Sequence, residues 1–423
     1  MLECWVPSGP SRCSITPSLH YRISASLHSS NGLLACYRMY MKSPFAMMIV
    51  LVVGSAFAAE EDGFESLFNG RDLSGWVNVN CAPETWSVKD GMIHCTGLPT
   101  GALRTPKQYE NYILELEWRH LSSGGNSGVF IWASPIAAPG VPFLRAIEVQ
   151  VLDHGFNVPG KNEWYTTHGD VFPIHGSTME PFGRHNGMRS FPSEERSKGT
   201  PEWNHYRIVC TNGVIRLHVN GKEVSGGQNC NYRKGYLGLE SEGGPIDFRN
   251  IKVKELPSSG ATDELTAPND QHWRPLFNGL DLRGWQTNSP GSTRWRVEGE
   301  RIHSAAGDPG PMNILWTDGT FGNVEFVVDC RPAKSGSAQE GTTPAVFLGG
   351  GQETNLEVKL EDGAPGKYKR FFIIVNGRDV SVRGENDPVR HLTLEPKAES
   401  HRALGLSGGA AGAEFMNIYV REL

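Results

Sequence analysis

Long stretches of helical periodicity are scarce in this 423-residue chain, which excludes a helix-dominated fold. Charge of one sign is scarce too. The net charge is −6 with acids and bases interspersed, and neither a basic stripe nor an acidic tail occurs. Nucleic acid is therefore not an expected partner. No apolar run is long enough for a comfortable membrane span; the run from Phe45 to Gly54 falls short. Cysteine is sparse past the N-terminal region, where Cys81, Cys95, Cys210, Cys230 and Cys330 remain. That odd set contains no CxxC and no zinc-type spacing. Two readings stay open for it: disulfides Cys81–Cys95 and Cys210–Cys230 in an exported protein, or buried free thiols. What is abundant is glycine (50) and proline (27), the punctuation of short strands and turns.

The N-terminal region reads as an address. "MKSPFAMMIVLVVGSAFAAEEDG" places Lys42 before the apolar run and ends it at the small-residue site Ala56-Phe57-Ala58. The expected signal spans about residues 39–58, with cleavage after Ala58 and a mature chain in the periplasm or outside the cell. Residues before Met39 read as neither signal nor domain, which fits translation starting near Met39; a long signal is the alternative.

A phrase then occurs twice, "SLFNGRDLSGW" (Ser66 to Trp76) and "PLFNGLDLRGW" (Pro275 to Trp285). The correspondence continues. "WSVKDGMIH" from Trp86 matches "WRVEGERIH" from Trp295, and "NYILELEWR" from Asn111 matches "NVEFVVDCR" from Asn323. "EVQVLD" from Glu148 matches "EVKLED" from Glu357. "LGLESEGGPIDFRNIKVKEL" from Leu237 matches "LGLSGGAAGAEFMNIYVREL" from Leu404. Units this long are a duplicated domain rather than a stacking repeat. The expected organisation is a first domain over 62–256, a polar linker over 257–271 and a second domain over 272–423.

Within each unit the period is two. In "YILELEWR", Tyr112, Leu114, Leu116 and Trp118 take one face; Ile113, Glu115, Glu117 and Arg119 take the other. Asn212-Gly213 and Asn376-Gly377 each join two such runs, a strong hairpin signal. The expected fold class is all-β, an antiparallel sandwich in each unit. The repeated phrase is then framework: a strand, a turn and a buried Trp.

The ordered set "LFNGRDLSGW", "WSVKDGMIH", "LELEWR…GGNSGVF", "EVQVLD", "PEWN" and "FRNIKVKEL" resembles the 3-keto-disaccharide hydrolase domain family. The likeness spans nearly all of the first unit and, more weakly, the second. It implies two concanavalin A-like jelly-roll β-sandwich domains in an exported enzyme. The implied activity is cleavage of glycosides already oxidised to a ketone at sugar carbon 3.

Such a ketone acidifies the proton on carbon 2, so a base can remove it and the group on carbon 1 is expelled before water adds. The site needs a base, an acid for the leaving oxygen and a positive or hydrogen-bonding group at the enolate oxygen. Direct two-carboxylate hydrolysis is the competing mechanism. Alternation puts Glu148 and Gln150 on one face, and Glu117 and Arg119 on one face of their own strand. All four converge if both faces line the concave sheet; the alternative is a solvated ion-pair ladder. Asn126 in "GGNSG" and Trp203 in "PEWN" are expected at the substrate, and Asp153 at the rim. From Asp153 to Pro201 is 48 positions, against 3 from Asp362 to Pro365, so 45 residues are absent from the second unit. That extra segment reads as a long functional loop. In it Trp164 and Tyr165 are candidates to stack on sugar rings, and His168 and Asp170 to act as an acid/base pair or as ligands. The catalytic candidates are thus Glu148, Asp153, His168 and Asp170. A divalent metal ion stays open, with Glu148, Asp153 and His168 as ligand candidates; no other cofactor is indicated. The competing function class is a lectin-like glycan binder without chemistry, and a third is a purely structural surface protein.

Overall fold

Tyr112, Leu114, Leu116 and Trp118 are buried along the strand Tyr112–His120, while Glu117 and Arg119 on its other face are only half-covered. That alternation builds one wall of a sandwich. A computed structural model of the chain describes residues 63–156, 168–287, 294–307, 313–333, 343–350, 353–361, 363–395 and 401–423. Gly63–Leu423 form one compact unit. The expected signal segment, Trp164 and Tyr165 lie outside the described residues.

The protein is all-β, with four antiparallel sheets paired as two jelly-roll sandwiches. In the first, a nine-stranded sheet with Tyr112–His120 near its centre faces an eight-stranded sheet. The central strands of the latter run in the order Val171–Ile174, Ala146–Leu152, Asn126–Ala133, Tyr236–Ser241. Val129, Ile131, Val149 and Val151 of this sheet meet Leu114, Leu116, Trp118 and Tyr206 of the other in the core. Fully burying each such aliphatic side chain contributes about 1.5–3 kcal/mol. The second sandwich pairs an eight-stranded with a five-stranded sheet around Phe326, Val328, Val346, Val358 and Ile373.

The 45-residue difference accounts for the unequal sheets. The segment expected as a loop supplies Val171–Ile174, His185–Asn186 and Arg189–Ser190 to the eight-stranded sheet, and Thr178–Pro181 to the nine-stranded one. It therefore extends the strands on which Glu148 lies.

The repeated phrase is framework in both copies, with Trp285 buried as expected and Trp76 only half-buried against the core. Asn69 Oδ1 accepts from the backbone N–H groups of Arg71 and Asp72 (2.7 and 3.0 Å), and Asn278 Oδ1 from those of Leu280 and Asp281 (2.8 and 2.9 Å). These side chains hold a turn that mimics a backbone turn. The hairpin at Asn212-Gly213 forms with both residues at positive φ (48° and 73°). In the second copy Asn376 pairs with Asp379, so the turn residues shift to Gly377 and Arg378. All five described cysteines are buried free thiols, so neither expected disulfide exists.

The 257–271 stretch is tied to the first sandwich: Asn111 Nδ2 donates to Pro257 O, and Arg104 Nη2 to Asp270 Oδ2 (2.7 Å each). The sandwiches share a core in which Phe130, Leu144 and Ala146 of the first meet Val327 and Tyr419 of the second. The polar anchor of this interface is Asp329. It accepts from Arg370 at 2.7 and 2.9 Å, from the backbone N–H of Gly140 at 2.8 Å and from Asn417 at 2.7 Å.

Candidate active site

Glu148 projects from the buried-core strand Ala146–Leu152 onto the outer face of the eight-stranded sheet. Val149 and Val151, its neighbours of opposite parity, point inward to the core. Across the sheet, Phe130 pairs with Glu148 and Gly128 with Gln150. On the next strand Leu239 pairs with Val129, which brings Glu240 beside Gly128 on the same face.

Gly128 is the reason two carboxylates meet. A Cβ there would lie 2.8 Å from Glu240 Oε2, 2.9 Å from Glu148 Cγ and 3.0 Å from Glu148 Oε1. Only a residue without a side chain leaves this space to them. Glu240 is 1% and Glu148 6% exposed, and Glu240 Oε2 is buried without a hydrogen-bond partner. Glu242, two residues on, is half-buried and accepts from Asn126 Nδ2. Gln150 Nε2 in turn donates to Asn126 Oδ1 (2.8 Å) and Ser127 O (3.2 Å). A chain of amides thus orients the third carboxylate.

Burial disfavours charge on each member of the group, and the mutual repulsion of carboxylates adds to it. Glu148 is pushed up to about 8, chiefly by burial and then by Glu242, with Arg189 pulling the other way. Burial, followed by the nearness of Glu148 and Glu242, raises Glu240 well above the ordinary carboxyl range. Glu242 rises to about 7, through burial and then through Glu300 of the second sandwich, against the hydrogen bond from Asn126. The cluster titrates as a unit and holds protons at neutral pH.

The positive group beside it is Arg189. Its Nη1 donates to Asp170 Oδ2 at 2.7 Å, and its guanidinium lies 3.3 Å from the centroid of the Phe172 ring. Phe172 pairs with Glu148, which places this couple next to the cluster.

Other expected residues lie elsewhere. Glu117 and Arg119 belong to the opposite sheet, so their polar face points away from that of Glu148. There they form the ion-pair ladder. Arg249 Nε donates to Glu117 (2.7 Å), and Arg119 donates to Asp247 (2.9 and 3.1 Å). Trp203 lies under both guanidiniums, 4.7 Å from Arg119 and 3.8 Å from Arg249.

Asp153 anchors turns. It accepts from the backbone N–H groups of Gly124, Gly155 and Thr200 at 2.8–2.9 Å and from the Thr200 hydroxyl. Burial raises its carboxyl, but the bonds from Thr200, Gly124 and Gly155 together hold it well below the usual range. His168 and Asp170 have different partners instead of one another. The backbone N–H groups of Arg196 and Ser197 donate to His168 Nε2 (3.0 and 3.1 Å), so that nitrogen is an acceptor and Nδ1 carries the proton. Nδ1–H then donates to Ser197 Oγ (2.6 Å), whose O–H donates to His154 Nε2 (2.7 Å). Burial, then nearby His154, pushes His168 down to about 4 against the pull of Glu195. His168 is a neutral strut at working pH.

The expected ligand trio Glu148, Asp153 and His168 is thereby committed to three separate sets of partners. Among the described residues, His154, His168 and Glu195 bring ligand atoms within 4.8 Å of one another. The donor set does not suit a cation. A metal on His168 Nδ1 requires a proton on Nε2, where two backbone N–H groups already point.

Sequence reasoning did not single out Glu240, Glu242, Gly128 or Arg189. The repeated segments carried the signal. The second copy reads Ala345 for Gly128, Ser407 for Glu240, Gly409 for Glu242 and Lys359 for Gln150. Glu357, the counterpart of Glu148, is an exposed carboxylate without counterparts of Glu240 and Glu242.

Among known proteins, the chain is 24% identical over 253 residues to the 3-keto-disaccharide hydrolase of Bacteroides thetaiotaomicron, spanning 47% of this chain and 80% of that protein. A crystal structure from Parabacteroides distasonis covers 46% of this chain and 94% of its own at 23% identity and a TM-score of 0.36. The carbohydrate-binding module CBM66 from Bacillus subtilis covers 43% of this chain and 96% of its own at 12% identity and a TM-score of 0.31. The model of one family matches residues 63–254 and 272–341, well over half of the length. The protein is accordingly carbohydrate-active, and the chain belongs to the 3-keto-alpha-glucoside-1,2-lyase-like domain family.

Proposed function

We propose that the protein cleaves 3-keto-glycosides by elimination and hydration at the Glu148–Glu240–Glu242 cluster of the first sandwich, after export from the cytoplasm. The observation that carries the reading is the pair of buried carboxyls packed over Gly128 with a third, more accessible one two residues along the chain from Glu240; burial raises all three above the ordinary carboxyl range. The most accessible of the three, Glu242, takes the proton from carbon 2, and the electron pair moves to the ketone oxygen as an enolate. The enolate collapses, the bond from carbon 1 to the leaving oxygen breaks, and Glu148 gives that oxygen its proton. Water then adds across the new double bond, its hydroxyl to carbon 1 and its proton to carbon 2, so the net reaction is hydrolysis. Arg189 supplies positive charge near the site, and the linked amides of Asn126 and Gln150 hold Glu242 in position. Export rests on the leader pattern from Lys42 to Ala58.

The test is incubation with a 3-keto-glycoside and with the unoxidised glycoside in D₂O. Elimination predicts aglycone from the ketone alone, with deuterium at carbon 2 of the released sugar. Release from both substrates without deuterium would point to direct hydrolysis. Binding without turnover would leave the lectin-like reading standing.

A further inference from the structure

The duplication preserved a second polar constellation, on the larger sheet of each sandwich. In the first copy His94 Nδ1 lies 2.8 Å from Asp247 Oδ1, Arg119 pairs with Asp247 at 2.9 Å, and Arg119 stacks on Trp203. In the second, the aligned His303 Nδ1 lies 3.8 Å from Glu414 Oε1, Arg331 pairs with Glu414, and Arg331 lies 4.9 Å over Tyr368. Trp203 and Tyr368 each directly precede the strand that pairs beside the arginine.

Two substitutions make the second version different. The position of Arg249, which covers Trp203 in the first copy, is held by Met416, 1% exposed and lining the contact between the sandwiches. The position of Ser87 is held by the exposed Arg296. Beside the second quartet lies a cavity of about 390 Å³, with Arg296, His303, Ser304, Arg331 and Glu414 in its wall. That volume falls within the roughly 300–1,000 Å³ of small-ligand sites. Next to Glu414, Arg301 Nε is buried without a hydrogen-bond partner, 3.9 Å from that carboxylate.

The surroundings are rich in donors: the guanidiniums of Arg296, Arg301 and Arg331 face the acids Glu298 and Glu414. A ligand that matches must bring acceptors, and guanidinium forks match planar carboxylates. Because the protein is carbohydrate-active, we infer that the carboxylate belongs to a sugar and that this cavity of the second sandwich binds a uronate unit. The site is separate from the acid cluster and does not depend on the reaction proposed there.

The test is titration of the full-length protein with glucuronate, glucose and acetate, followed by calorimetry. Glucuronate should bind, and glucose and acetate should bind at least about tenfold more weakly, as expected when charge-assisted hydrogen bonds or the sugar's own contacts are missing. Arg296→Ser restores the residue of the first copy at an exposed position. It should weaken glucuronate by about tenfold or more while the melting temperature holds. Glu148→Gln should bind glucuronate as the parent does, which separates this site from the acid cluster. Absence of glucuronate binding, equal binding of glucose or acetate, or an unchanged affinity in Arg296→Ser would each overturn the inference.

Discussion

The proposed chemistry turns on Glu148, and the environment of that residue makes two predictions. With Glu242 near 7 and Glu148 near 8, the rate should follow a bell with its optimum between those values. A rate that keeps climbing past pH 9 would remove Glu148 as the acid. The second prediction concerns stability. A carboxyl raised above its unfolded value binds more protons in the folded state, so its contribution is full below about 4.5 and is lost as pH rises through about 8. Glu148→Gln cannot ionise, so its melting temperature should fall less than the parent's between pH 5 and 9. Equal slopes would contradict the placement of a proton on Glu148. The sequence disclosed Glu148 through strand alternation, since Val149 and Val151 mark the other face. Alternation says nothing of the next strand over, and so the partners Glu240 and Glu242 were illegible without pairing register.

At the scale of elements, the site depends on strands that bring side chains together and turns that hold them. Gly128→Ala would put a methyl 2.8 Å from Glu240 Oε2 and 2.9 Å from Glu148 Cγ, displacing both carboxyls while the fold persists. A displacement of that size should lower the rate on the order of 10²-fold. Kinetics within twofold of the parent would show that the close approach over Gly128 is irrelevant. Asp153→Ala should act on stability instead, costing about 2–3 kcal/mol by leaving the N–H groups of Gly124, Gly155 and Thr200 unpaired. Denaturant titration checks this, and a folded, inactive variant would restore Asp153 to the chemistry. The strands, hairpins and repeat were legible because period two and Asn-Gly signals are local. Which sheet a strand joins is not local. Glu117 and Arg119 alternate as well as Glu148 does, yet they face outward from the opposite sheet. The extra segment of the first copy was misjudged for the same reason, its strands being too short to display a period.

For the molecule as a whole, the second sandwich is more than a spent copy. Its face carries Val327, Tyr419 and the Asp329–Arg370 pair onto the sheet that bears the acid cluster, and Glu300 reaches Thr100 and raises Glu242. Asp329 sits where the first copy has Glu117: one carboxylate position serves a surface ladder in one unit and an interface in the other. The most direct trial of the central claim, that chemistry resides in the first copy's cluster, is the rate of aglycone release from a 3-keto-glycoside by the parent, Glu148→Gln and Glu357→Gln, with melting temperatures measured alongside. The account predicts a loss on the order of 10²–10⁴ for Glu148→Gln and a nearly unchanged rate for Glu357→Gln, with both variants folded. Equal rates for the two, whether both retained or both lost, would contradict it.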